Sequence, residues 1–114
     1  MILRELADAV DAGRPVASAT VVRTHRSVPR HAGSRMLVYP DGSTSGTIGG
    51  GAMERRVVEA AVAALVDGTP RLARYTLLDP DYGDPGVCGG EVDIYVDPHM
   101  PAPVLFVVGA GHVG

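Results

Sequence analysis

The chain of 114 residues has no lysine and no tryptophan, one phenylalanine and a single cysteine, Cys88. A lone cysteine excludes an intrachain disulfide and fits a reducing compartment. No apolar run approaches the ~20 residues needed to span a bilayer, so no membrane partner is expected. Residues 1–12 mix acids with apolar positions, unlike the cationic, apolar leader of a secreted protein. These absences point to a cytoplasmic protein.

The length suits one domain with a modest core, and 46% hydrophobic with 20% charged residues is ordinary globular composition. The net charge is −3, but it is unevenly spread. Arg23, Arg26, Arg30 and Arg35 crowd one stretch that holds no acid, whereas Asp79 to Asp97 is acidic and holds no base. An acidic chain with one short basic stretch suits a small anionic ligand better than a nucleic acid. All the bases are arginine, whose fork matches phosphate or carboxylate.

The stretch around which the chain is organised is Thr47-Ile48-Gly49-Gly50-Gly51-Ala52-Met53-Glu54. Three successive glycines are costly to order, so they imply backbone that passes close to something or adopts positive φ. Ala52 to Val66 has strong helical composition and apolar residues around most of its circumference, so the glycines open a helix. Unpaired N–H groups there favour an anion, and Glu54 falls where a capping carboxylate reaches back. A tight structural turn and a ligand loop are both consistent with the pattern.

The other elements follow from periodicity and punctuation. Ile2, Leu3, Leu6, Ala7 and Val10 recur at helical spacing up to Gly13. Val16 to Thr24 reads as a central strand because its apolar residues barely alternate. His25 to Gly33 reads as a surface loop, and Arg35–Tyr39 and Ser43–Ile48 as a hairpin about Asp41-Gly42. Arg71 to Leu78 is a strand with Leu72, Tyr75 and Leu77 in partial alternation, and Glu91 to Val96 alternates cleanly. Between them Asp79 to Val87 is a long loop delivering Cys88-Gly89-Gly90. Asp97 to Pro103 is proline-rich and reads as a linker. Val104 to Val108 then runs into Gly109-Ala110-Gly111-His112-Val113-Gly114, a G-x-G-x-x-G after a strand. The phosphate-binding helix and ribose-binding acid of a dinucleotide fold do not follow, so NAD(P) binding by this stretch alone is not expected. These elements predict an α+β fold. A mixed sheet of about five strands with two helices occupies 1–97, a linker 98–103, and the truncated first strand of a Rossmann-type domain 104–114. An uncovered strand at 104–108 predicts association as a homodimer.

Cys88 is the one strong nucleophile and soft ligand. It is either a buried structural thiol or, beside Gly89-Gly90, an accessible thiolate suited to covalent chemistry or a soft metal. Arg30 and Arg35 supply forked donors for an anion, or decorate a solvated loop. The histidines have no zinc spacing, Asp79, Asp81 and Asp84 read as turn residues rather than a calcium loop, and no Ser-His-Asp set or acid–base pair can be assigned. If the two glycine turns and the arginine loop converge, they form a pocket with an anionic-ligand end and a soft-ligand end.

The order of these motifs resembles one family. Ser27-Val28-Pro29-Arg30 followed by Gly33, Met36-Leu37-Val38, Asp41-Gly42, Gly46 to Gly51 with Glu54, and Cys88-Gly89-Gly90 before a strand are similar to the XdhC/CoxI family. These are accessory factors of xanthine dehydrogenase and carbon monoxide dehydrogenase type molybdenum hydroxylases. The proline linker and G-x-G-x-x-G (Gly109, Gly111, Gly114) look like the join to that family's Rossmann domain, which would act in cis or in trans. The resemblance implies a non-catalytic chaperone that binds the molybdenum cofactor (molybdopterin), supports its sulfuration, and inserts it into a hydroxylase, with a cysteine desulfurase as a further partner. It implies Cys88 near the metal, with Thr47, Gly49, Gly50, Gly51, Glu54, Gly89 and Gly90 shaping the pocket. Ser27, Arg30 and Arg35 would meet the pterin phosphate. Thr24-His25-Arg26-Ser27 departs from the family, which usually carries a glycine just before the serine. Two rival readings are a dinucleotide-dependent oxidoreductase and a docking module without its own ligand.

Overall fold

The computed structural model describes residues 2–25, 32–76 and 90–101. The elements run α1 (Ile2–Asp11), β1 (Val16–His25), β2 (Arg35–Val38), β3 (Thr44–Gly46), α2 (Gly51–Asp67), β4 (Arg71–Thr76) and β5 (Glu91–His99). The five strands form one sheet in the order β3-β2-β1-β5-β4, so β1 is central, as its continuous apolar run predicts. This is an α+β domain.

Every pairing in the sheet is antiparallel, which corrects the mixed sheet expected from the sequence. The physical reason lies in the crossover. Helix α2 carries the chain from β3 at one edge to β4 at the other, so these two like-directed strands never meet. β5 then inserts antiparallel between β1 and β4.

One face of the sheet is filled by α2. Met53, Val57, Ala61, Ala64 and Leu65 pack on Ala17, Ala19, Val21, Met36, Val38, Val92, Ile94 and Val96. The buried side of α2 is a broad stripe rather than the whole circumference, for Val66 is 84% exposed. Gly68 stops the helix in the left-handed region at φ 72°, donating its N–H to Ala64 O at 2.7 Å.

The opposite face is covered by α1 on the β1–β2–β3 side, where Ala9 packs with Val16 and Leu37. The continuous apolar run of β1 is thus explained by two covered faces rather than by a parallel neighbour. Glu5 pins α1 to the hairpin: Tyr39 donates its hydroxyl to Oε2 at 2.5 Å, and Ser45 donates to Oε1 at 2.6 Å. The two bonds, Ser45's first, hold the Glu5 carboxyl below its ordinary value, and the bond to Glu5 pushes the Tyr39 phenol up. The close fit needs glycine at 46, where a Cβ would stand 2.8 Å from Ile2 Cδ1 and 3.0 Å from the Arg35 carbonyl oxygen.

Two strand readings change. β5 continues through Asp97 and Pro98 to His99, residues read from sequence as the start of a linker. Pro98 is tolerated because β4 pairs with β5 only as far as Val96, leaving one side of β5 without a strand there. On β4, register places Arg71, Ala73 and Tyr75 opposite Val96, Ile94 and Val92 on the core side. Leu72 therefore faces outward, 67% exposed, against its expected alternation with Tyr75.

Candidate functional site

The triple glycine is a turn demanded by backbone conformation. Gly49, Gly50 and Gly51 have φ of 128°, 79° and 78°. A Cβ on Gly50 or Gly51 would meet nothing within 4 Å, so positive φ, not close approach, is what requires glycine. Ile48 is buried and anchors the turn from below.

The donors of this turn are turned inward onto one carboxylate. Glu54 Oε1 accepts the N–H of Ile48 at 3.1 Å and of Gly50 at 2.9 Å, together with the Thr47 hydroxyl at 2.5 Å. Thr47 Oγ1 in turn accepts the Gly49 N–H at 3.0 Å. The arrangement resembles a capping box in its logic, with the carboxylate in the first helical turn satisfying backbone N–H groups just before it. Thr47, Gly49, Gly50, Gly51 and Glu54 thereby lie together in one turn. The anion at this helix start is the chain's own.

Strand direction places the ends of three connections at one end of the sheet. β1 leaves there at His25 and β2 enters at Arg35; β3 leaves at Gly46 toward the glycine turn; β4 leaves at Thr76 and β5 enters at Glu91. The start of α2 lies toward the same end, since it follows closely on Gly46 at the end of β3. Burial pushes the Tyr75 phenol on β4 up. Gly90, half-buried, immediately precedes β5 at this end. Arg35 is half-buried at the start of β2 and donates Nε to Thr20 Oγ1 at 3.1 Å. Ser27, Arg30, Cys88, Gly89, Gly109, Gly111 and Gly114 lie outside the described residues. Among the described residues there is no group of three or more His, Cys, Asp or Glu able to hold a metal ion.

One cluster was missed from sequence. Ser18 Oγ shares a hydrogen bond of 3.0 Å with His99 Nε2, and Asp97 Oδ2 stands 3.7 Å from that same nitrogen. Ser18 and Asp97 are direct partners between β1 and β5, and 81 residues separate Ser18 from His99, so only register could reveal them. Both oxygens address one ring nitrogen and Ser18 is buried, so the set does not relay a proton from an exposed nucleophile.

These features define an antiparallel α+β domain with motif-bearing connections opening at one end. The chain belongs to the XdhC and CoxI family, whose model matches residues 9–76. It is 39% identical over 113 residues to the uncharacterized protein YqeB of Escherichia coli K12, covering 98% of this chain and 21% of YqeB. A crystal structure described as a xanthine dehydrogenase from Bacillus halodurans superposes with a TM-score of 0.69 at 26% identity, covering 86% of this chain and 30% of that one. The chain thus spans under a third of either relative's length. No helix among the described residues is long and apolar enough to cross a membrane.

Proposed function

We propose that this chain is the cofactor-handling domain of a molybdenum hydroxylase maturation factor. It takes the molybdenum cofactor as cargo at the end of the sheet where the three connections open, supports exchange of an oxo for a sulfido ligand, and passes the cargo to a xanthine or CO dehydrogenase type hydroxylase. A cysteine desulfurase supplies the sulfur, and a Rossmann domain in cis or trans completes the protein.

The observation that supports this reading most is the shared end of the connections that bear Ser27–Arg30, Gly49–Gly51 and Cys88–Gly90. In this reading Cys88 supplies the soft ligand near the metal. Family membership supports the class of cargo. The fit is qualified by Glu54, which already takes the Ile48 and Gly50 N–H groups, so the glycine turn shapes the wall and the arginines meet the phosphate.

The test is a titration of the chain with isolated molybdenum cofactor, wild type against Cys88→Ala, read by absorbance and by molybdenum retained after gel filtration. Stoichiometric retention by the wild type and loss in the variant is expected. Equal retention by both would remove Cys88 from the site, and no retention by either would leave cargo binding to the remainder of the longer protein.

A further inference from the structure

Strands β3 and β4 are the two edges of the sheet, and they are guarded differently. Edge strands are usually blunted by charge or proline, or kept very short. β4 carries Arg71 and Arg74, whereas Thr44, Ser45 and Gly46 of β3 carry neither charge nor proline and are protected by shortness alone. Tyr39 donates its N–H to Ser43 O at 2.9 Å, so the alternation of an antiparallel ladder turns the backbone groups of Ser45 toward Leu37. The N–H and C=O of Thr44 and the N–H of Gly46 then point away from β2. Both residues are exposed, and neither backbone has another partner among the described residues.

This free edge has a wall beside it. A groove of about 680 Å³ runs between Gly42 and Thr44 on the hairpin and Ala52, Arg55, Val58 and Glu59 on α2. That volume falls within the ~300–1,000 Å³ of ligand sites. Arg55 and Arg56 both line the groove, are exposed, and make no ion pair with a described residue. Glu54 lines it too, but its Oε1 is taken by the glycine turn, which leaves Glu59 as the opposing acid. Val58, half-buried against the core, supplies an apolar contact.

We propose that β3 and the adjoining flank of α2 form a docking groove for an extended, acidic peptide segment of a partner protein. The peptide pairs with Thr44 and Gly46 as an added strand. It sets an apolar side chain against Val58 and, two positions along on the same face, a carboxylate against Arg55. A second copy of this chain fits the edge less well. Antiparallel pairing of two β3 strands would turn the arginine-bearing flanks of the two α2 helices toward one another, and like charges facing each other destabilise a pair. The groove goes beyond the cargo reading and needs neither the molybdenum cofactor nor Cys88.

The experiment follows backbone amide NMR signals of the full chain during titration with a short blocked threonine peptide that carries valine and glutamate two positions apart. Its counterpart has lysine in place of glutamate. Shifts confined to β3 and the first turns of α2 are expected, with the lysine peptide roughly tenfold weaker. Arg55→Glu should weaken the glutamate peptide roughly tenfold and strengthen the lysine one. Thr44→Pro deletes an edge N–H without touching the ladder to β2 and should weaken both. Circular dichroism checks that the variants are folded. Should Thr44→Pro not fold, glutamate peptides N-methylated on one or the other alternate set of amides test the same pairing, because only one set faces β3. The proposal is overturned by no shift at β3 up to millimolar peptide, by equal binding of the glutamate and lysine peptides, or by equal binding of the two methylated ones. Concentration-dependent dimerisation in the ultracentrifuge that folded Thr44→Pro abolishes would also overturn it, giving the edge to a second copy.

Discussion

The two faces of the sheet are built on different terms. On the α2 face, side chains from every strand but β3 meet a broad helical stripe, and fully buried Met36, Ile94 and Val57 close the layer. On the other face α1 covers β1 and β2 and is held as much by hydrogen bonds to Glu5 as by the small cluster around Leu37. Beyond it, no helix among the described residues lies over β5 and β4. The stability of the domain is thus concentrated on one face, which leaves the other free to carry chemistry and contacts.

The sharpest way to break this comparison is to empty each face in turn. Ile94→Ala removes a side chain buried under α2 and is expected to cost about 2–5 kcal/mol by denaturant unfolding. Leu72→Thr, on the bare half, should change stability by no more than about 0.5 kcal/mol. Similar costs for the two would mean that the open half is covered in solution.

The glycine turn gives the next largest effects. Glu54→Ala removes the carboxylate that accepts the Ile48 and Gly50 N–H groups and is expected to cost about 1–3 kcal/mol. Gly50→Ala forces a side chain into φ 79°, ψ −175° and should cost about 1–3 kcal/mol. Chemical denaturation measures both, and a neutral Gly50→Ala would contradict the turn's geometry.

The smallest effect is the acid sensitivity of α1. The Glu5 carboxyl is lowered in the folded state, so its contribution is fully present above the unfolded value of about 4.3 and is lost as pH falls through the folded value. Hydrogen exchange should show α1 amides losing protection below about pH 4 before those of α2 do. Glu5→Gln should flatten that difference, and a pH profile identical to wild type would take Glu5 out of the account.

Much of the fold was legible because local chemistry and tertiary structure agree. Gly13 and Gly68 end helices, Asp41-Gly42 turns the hairpin with Asp41 Oδ1 accepting the Ser43 N–H at 2.9 Å, and Val92, Ile94 and Val96 alternate into the core. Glu54 was legible as a cap because its spacing from the turn is short. What sequence did not reveal depends on partners far along the chain. The outward Leu72 is decided by the register of β4 on β5, the reach of β5 to His99 by a long pairing with β1, and the Ser18–His99 bond by that same pairing. Outside the Asp41-Gly42 hairpin, the antiparallel order needed to be known for the whole sheet before a pair could be assigned.

The place of β5 carries a consequence for synthesis of the protein. Among the described strands it is the last made, yet it lies between β1 and β4, and its pairing of Val16 with His99 joins the first residue of β1 to the last residue of β5. A nascent chain that ends before Glu91 can form the hairpin and α2, but β4 has no neighbour to hold it and β1 shows a bare edge. Such contacts between distant segments form slowly, and unpaired edges invite other strands meanwhile. Translation must therefore complete residue 99 before this sheet can close, so a ribosome stalled a few codons earlier would release a sticky half-sheet in place of a destabilised domain.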